Sequence, residues 1–311
     1  MQIERHPRCT FFGMTVSSPK SRIGLHILVG LLLAVAFGGC GKGSQSPTAP
    51  SGPPAAGSTV VYSAIGASDV AGIGSSVVCL LNDCPNGTGY VQVAAKQLRS
   101  QGFTVTVNNL GIPTAVIGRD FETLGQQFNH TIVGNFIEQE MPFVRQDSTV
   151  VTIFAGGNEI NTITAALGGG AGASDQAGYI DSQVRAFGAD YTTLLAGIKA
   201  RAGAPRIIVL NVPNMAGLPF LASASLGQKQ AAQRAAVGMS TTVVNPLTAQ
   251  GVIVVDLMCD SRTYVASNYS SDGFHPNDAG YAFIAAEVVR AVTSSTYPAP
   301  RSSCSQMTVV P

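Results

Sequence analysis

A serine hydroxyl becomes a useful nucleophile only when a base takes its proton, and histidine is the side chain whose unperturbed pKa suits that task near neutrality. The chain holds four histidines, and His6 and His26 fall in an N-terminal segment expected to be removed. A histidine base is therefore His130 or His275. His130 stands between Asn129 and Thr131 with no acid close by, whereas His275 lies in the turn Ser271-Asp272-Gly273-Phe274-His275-Pro276-Asn277. From that position the Asp272 carboxylate can fold back onto the imidazole Nδ1 and fix its tautomer and direction. Pro276 biases His275 toward extended backbone at the mouth of a following helix, which keeps the ring on a loop. The turn reads as a base with its orienting acid, against the blander reading of a surface helix cap.

Acyl transfer also needs hydrogen-bond donors aimed at a developing oxyanion. The sequence offers three: the backbone N–H of Ser68 in Gly66-Ala67-Ser68-Asp69, that of Gly111 in Asn109-Leu110-Gly111, and the side-chain amide of Asn158 in Gly156-Gly157-Asn158-Glu159. A glycine lets backbone approach a substrate closely, and an uncharged amide polarises a carbonyl with no proton to lose. Taken singly, Gly111 could be a turn glycine and Asn158 a loop cap. Their order along the chain favours the chemical reading.

That order matters because of the elements before them. Five runs rich in β-branched residues recur at Thr59–Ile65, Phe103–Val107, Thr149–Phe154, Arg206–Leu210 and Val252–Leu257, several almost continuously apolar. Helical patterns separate or follow them at Tyr90–Gln101, Thr131–Val144, Gln176–Ala202, Leu226–Gln250 and Ala279–Val292. Strand and helix alternating in this way predict crossover connections and a parallel sheet sandwiched between helices. Ligands of such sheets bind outside the carboxyl ends of the strands, where Ser68, Gly111 and Asn158 fall. The tetrapeptide Gly-Ala-Ser-Asp recurs at 172–175, but after a glycine run and before a helix. There Ser174 is expected to cap the helix with Asp175 in its first turn. Position 70 is Val, so the first block is no G-x-S-x-G elbow, and no G-x-G-x-x-G turn follows the first strand.

With Ser68, Gly111, Asn158 and His275 in four separated blocks, the chain resembles the SGNH hydrolases, also called GDSL esterases and lipases. The resemblance runs from Tyr62 to about Arg290, and the block around His275 is its most specific part. It implies a three-layer α/β/α fold with a five-stranded parallel sheet of flavodoxin-like type. It implies a serine esterase or lipase that cleaves carboxylic esters or thioesters through an acyl-enzyme. Ser68, His275 and Asp272 would form the triad, Ser68, Gly111 and Asn158 the oxyanion hole, and no metal or organic cofactor would be needed. Two positions depart from the family pattern: Ala67 stands where an acid precedes the nucleophile, and Glu159 stands where Asp is usual. A carbohydrate O-acetyl esterase and a non-catalytic surface binding module on the same fold are the alternatives.

Composition sets the frame. Of 311 residues, 45% are apolar and 11% charged, so the chain can build a core and is not a disordered polyelectrolyte. Lys20 and Arg22 precede the apolar stretch Ile23–Phe37, then Gly38, Gly39 and Cys40. Residues 1–39 are thus expected to be a bacterial lipoprotein signal, with Cys40 lipidated and Met14 a tidier start than Met1. Cleavage without lipid and a retained anchor are the other readings. The Gly/Ser/Pro-rich run 40–58 is expected to tether a single domain, 59–311, to the outside of a bacterial membrane. Beyond residue 39 the chain carries 14 Lys and Arg against 16 Asp and Glu, a balance that excludes nucleic acid as a partner. Four cysteines remain for an oxidising compartment and allow three pairings. The expected one joins Cys79 to Cys84 and Cys259 to Cys304, and a zinc site lacks paired C-x-x-C units. Ile163–Ala177 and Met215–Leu226 are candidates to line an acyl slot, or plain surface loops. Phe274 is expected to staple the last helix, with the site wall as its other reading.

Overall fold

The apolar runs pair edge to edge. A computed structural model describes residues 52–80 and 83–311. In it β1 (Thr59–Gly66), β2 (Thr104–Asn109), β3 (Val150–Phe154), β4 (Arg206–Leu210) and β5 (Ile253–Val255) form one parallel sheet in the order β2-β1-β3-β4-β5. Ile207 and Val209 pack to one side and Ile208 and Leu210 to the other. A strand covered on both faces has no solvent side to mark with polar residues, hence the continuous apolar sequence.

The first face is covered by α3 (Arg119–Gln127), α5 (Gly157–Gly168), α6 (Gln176–Ala202) and α7 (Leu226–Gly238), through Phe121, Ile160, Phe187 and Ala235. The second is covered by α2 (Tyr90–Ser100) and α8 (Asp278–Thr293), through Val91, Leu98, Ile284 and Val288. Two single-turn helices complete the set, α1 (Ser68–Ala71) and α4 (Phe136–Gln139). The three-layer α/β/α sandwich is the expected architecture. Because β1 pairs with both β2 and β3, the chain leaves β1 toward one edge and later returns to build toward the other. Such a reversal opens a crevice at the carboxyl ends of the two central strands. The register sets Gly66 beside Phe154, so the segments bearing Ser68 and Asn158 emerge next to each other.

Local chemistry corrects several expected boundaries. The helix expected over Thr131–Val144 is reduced to α4 and a 3₁₀ turn at Met141–Phe143, whose first turn holds Pro142. The α3 helix was not expected; of its residues only Phe121 and Gly125 are buried, too little apolar surface for a periodic signal. The pattern over Leu226–Gln250 is α-helical only to Gly238, then widens into π-type turns and tightens into a 3₁₀ segment containing Pro246. Proline there removes a backbone N–H and ends the regular ladder. The cap of α6 is Asp175 in place of Ser174, its Oδ1 accepting from the Gly178 N–H at 2.9 Å.

Disulfides join Cys79 to Cys84 and Cys259 to Cys304, so none of these four cysteines is left as a thiolate for zinc. Gly52 and Pro53 lie with Arg206, Val252 and Ile253 along one groove, at the amino ends of β4 and β5. The expected signal segment, Cys40 and the tether up to residue 51 lie outside the described residues. Among those described, no helix is long and apolar enough to cross a membrane.

Candidate active site

Ser68 stands where β1 ends. Gly66 holds φ at +151°, and a Cβ on it would come within 2.6 Å of the Phe154 carbonyl oxygen. Only glycine allows the chain to leave the sheet at that point, turn through Ala67 and start α1 with Ser68. The serine hydroxyl lies 2.8 Å from His275 Nε2, and His275 Nδ1 lies 2.6 Å from Asp272 Oδ2. Serine and histidine are 207 positions apart. Asp272 Oδ1 accepts hydrogen bonds from Ser270 Oγ (2.8 Å), Phe274 N–H (2.8 Å) and His275 N–H (2.9 Å). Partial burial pushes this carboxyl up, but the bonds from the His275 ring and backbone, Phe274 and Ser270 outweigh it and hold the pKa at about 2. Asp272 is thus an anion across the neutral range.

The turn is itself fixed. Asn277 caps α8, its Oδ1 accepting from Ala279 and Gly280, while its Nδ2 donates to the Ser267 and Tyr269 carbonyls at 2.8 and 2.9 Å. Asp278, in the first turn of α8, accepts from Ser76 N–H at 2.7 Å and Ser76 Oγ at 2.6 Å. The loop after α1 and the histidine turn are therefore tied directly to each other.

Asn158 sits in the first turn of α5 and lines a cavity together with Ser68, Ala67, Ala115 and Gly157. One hydrogen of its amide goes to the Ala115 carbonyl at 2.8 Å, which leaves the second for a ligand. Gly111 stands apart from this lining. Its N–H donates to Asn109 Oδ1 at 3.1 Å, and a Cβ on it would lie 2.8–2.9 Å from Ala71 and Val70 of α1. The loop after β2 reaches the cavity through Ala115. His130, its N–H on the Gly125 carbonyl, lies at the end of α3 and outside the lining.

Two buried carboxyls that the sequence reading did not single out for this role brace the strand exits. Glu140, fully buried, accepts from the Gly66 N–H at 2.8 Å, and the Gly66 carbonyl accepts from the Ile112 N–H at 3.2 Å, so the exits of β1 and β2 are joined at the residue Glu140 holds. Glu159 accepts from Ile117 N–H at 2.5 Å and Gly156 N–H at 2.8 Å, joining the β2 loop to the β3 exit. Burial raises the pKa of both, that of Glu159 to about 7, against the pull of their backbone donors. Asp69, next to the serine, is raised by burial as well, and Tyr281 OH lies 3.4 Å from it. Glu140 stands in Phe136-Ile137-Glu138-Gln139-Glu140-Met141 beside a second acid and an amide, and nothing in that window sets it apart.

The remaining lining includes the apolar Phe136, Ala155, Val212, Met215, Leu218 and Phe274, with Asp69, Glu159, Thr263, Asn268 and Tyr269 as its polar members. Phe274 thus corrects the expected staple: its ring lies edge-on to His275 at 4.8 Å and faces the cavity. Of the two candidate segments, Met215–Leu226 supplies Met215 and Leu218, whereas Ile163–Ala177 supplies nothing because its first half is the body of α5.

Similarity to known proteins bears on the fold and the family. No curated protein sequence matches the chain. Among solved structures, the lipase Lip_vut3 from a goat rumen metagenome superposes with a TM-score of 0.54 at 17% identity, covering 76% of this chain and all of that one. The extracellular lipase from Streptomyces rimosus gives 0.50 at 17% identity, covering 72% and 95%. At such identity the likeness is one of fold. Residues 64–283, well over half of the sequence, match the model of the GDSL-like lipase/acylhydrolase family, and the chain belongs to that family.

Proposed function

We propose that the protein is a serine esterase that hydrolyses carboxylic esters through an acyl-enzyme on Ser68. The observation that carries this is the continuous relay from Ser68 Oγ to His275 Nε2 and from His275 Nδ1 to Asp272, at 2.8 and 2.6 Å. With Nδ1 protonated toward Asp272, Nε2 accepts the serine proton as Oγ attacks the acyl carbon. The carbonyl oxygen becomes an oxyanion that the Ser68 N–H and the second amide hydrogen of Asn158 receive. The imidazolium then gives its proton to the departing alcohol. Water, deprotonated by the same imidazole, attacks the ester on Ser68, and collapse returns the acid and the free serine.

Gly111 acts in this reading through its close packing on α1, which holds Ser68 from behind. Neither departure from the family pattern removes a reacting group: Ala67 lines the site, and Glu159 braces it. Hydrolysis of p-nitrophenyl butyrate tests the assignment. Wild type turns over, and Ser68→Ala loses activity by about 10⁴-fold or more; turnover by Ser68→Ala equal to wild type rejects it.

We also propose export as a lipoprotein, supported by the signal pattern before Cys40 and by two disulfides suited to an oxidising compartment. The first described residues, Gly52 and Pro53, lie at the amino ends of β4 and β5, whereas Ser68 follows the carboxyl end of β1. Fatty-acid labelling that persists in Cys40→Ala contradicts lipidation at that residue.

A further inference from the structure

Two aromatic rings meet at one side of the cleft, Phe274 in its lining and the exposed Phe220 behind it. Phe274 sits edge-on to His275 at 4.8 Å and packs on Phe220 at 5.0 Å. On its other side it reaches Gly157, the neighbour of Asn158, so closely that a Cβ there would lie 3.3 Å from its Cζ. The ring therefore spans from His275 to the backbone beside Asn158. Its partner is held in turn, since the Phe220 N–H donates to the Gly273 carbonyl at 3.0 Å. Beside Phe274, Met215 and Leu218 are almost wholly buried and line the same cavity.

The cavity that Ser68 and Phe274 line measures about 50 Å³. At roughly 10–15 Å³ for each water-sized group, that is room for about four such groups. Its lining contains no Lys or Arg, and its carboxyls, Asp69 and Glu159, are both raised by burial. Nothing in it would neutralise a charged acyl group.

We propose that the slot admits uncharged acyl groups of about two to four carbons, and that Phe274, backed by Phe220, is the wall that sets the limit. The proposal rests on Ser68 being the acylated residue. It predicts a preference for acetyl or butyryl over longer esters, because methylenes beyond the fourth carbon have to displace a packed ring, at a cost of about tenfold or more in all.

The test is kcat/KM for p-nitrophenyl acetate, butyrate and octanoate with the full chain and with Phe274→Ala and Phe220→Ala, each titrated with a fluorophosphonate to count active sites. Wild type is expected to favour acetate or butyrate over octanoate by about tenfold or more, and Phe274→Ala to raise the octanoate-to-acetate ratio by about tenfold. Should Phe274→Ala fail to fold, Phe220→Ala is expected to shift the ratio in the same direction by a smaller factor. Wild-type preference for octanoate, or an unchanged ratio in variants that still titrate, overturns the proposal. Absence of both titration and hydrolysis at every chain length overturns the reading of Ser68, and the slot with it.

Discussion

At the scale of single residues, the proposed chemistry divides the site into groups that move protons and groups that wait for charge. Ser68, His275 and Asp272 form the first set; Asn158 belongs to the second, with one amide hydrogen committed to Ala115 and one left for the substrate. That division separates their mutants. Asn158→Ala is expected to lower kcat by about 100- to 1,000-fold with a much smaller change in KM, since the lost bond forms only as the oxyanion develops. Steady-state kinetics on a soluble ester checks this, and an equal loss in KM alone would assign Asn158 to ground-state binding. Asp272, held at about 2, remains an anion wherever the enzyme is folded at neutral pH. Asp272→Asn keeps the size of the side chain and removes the charge that stabilises the imidazolium, so kcat is expected to drop while folding is retained.

At the scale of elements, the proposed chemistry depends on how three strand exits are held. Glu140 draws its importance from a contact with Gly66, 74 positions away, which the topology brings to the edge of the cleft. Glu140→Ala leaves the Gly66 N–H buried without a partner and frees the turn that aims Ser68. Its kcat is expected to fall by about ten- to a hundredfold with KM nearly constant, because small displacements of a nucleophile cost that much. Glu140→Gln keeps a carbonyl acceptor for Gly66 and is expected to restore most of the rate, an outcome that loss of folded protein alone would not produce. The contrast also explains what could be read in advance. Ser68, Asn158 and the histidine turn follow apolar runs or sit in a local motif, and both kinds of signal lie within a few residues. Gly111 shares the first signal, yet its N–H is turned toward Asn109, since position after a strand does not fix the direction of a single amide. Glu140, α3 and the truncated helix around Pro142 depend on distant packing or on too few apolar side chains, and no short window shows them.

For the whole molecule, several buried acids give stability a pH dependence of definite sign. Glu159 titrates near 7 in the folded chain against 4.5 as its ordinary value, driven by burial. The folded state therefore binds more protons than the unfolded state between these values, and stability falls as pH rises from 4.5 to 7. The full shift corresponds to about 3 kcal/mol. Asp190, raised to about 6 by burial and by Asp120, has the same sign. Urea midpoints measured across this range are expected to decline, and Glu159→Gln to flatten the decline in part; a midpoint that climbs through the window contradicts the sign. The same topology that buries these acids brings the first strand exit and the last turn together, and on that meeting the proposed chemistry rests. The most direct measurement is stoichiometric labelling of the intact protein by a fluorophosphonate, with the modified residue located by peptide mass spectrometry. One equivalent on Ser68, slowed by orders of magnitude in His275→Ala, is the expected result. Labelling at another serine, or at an undiminished rate without the histidine, would contradict it.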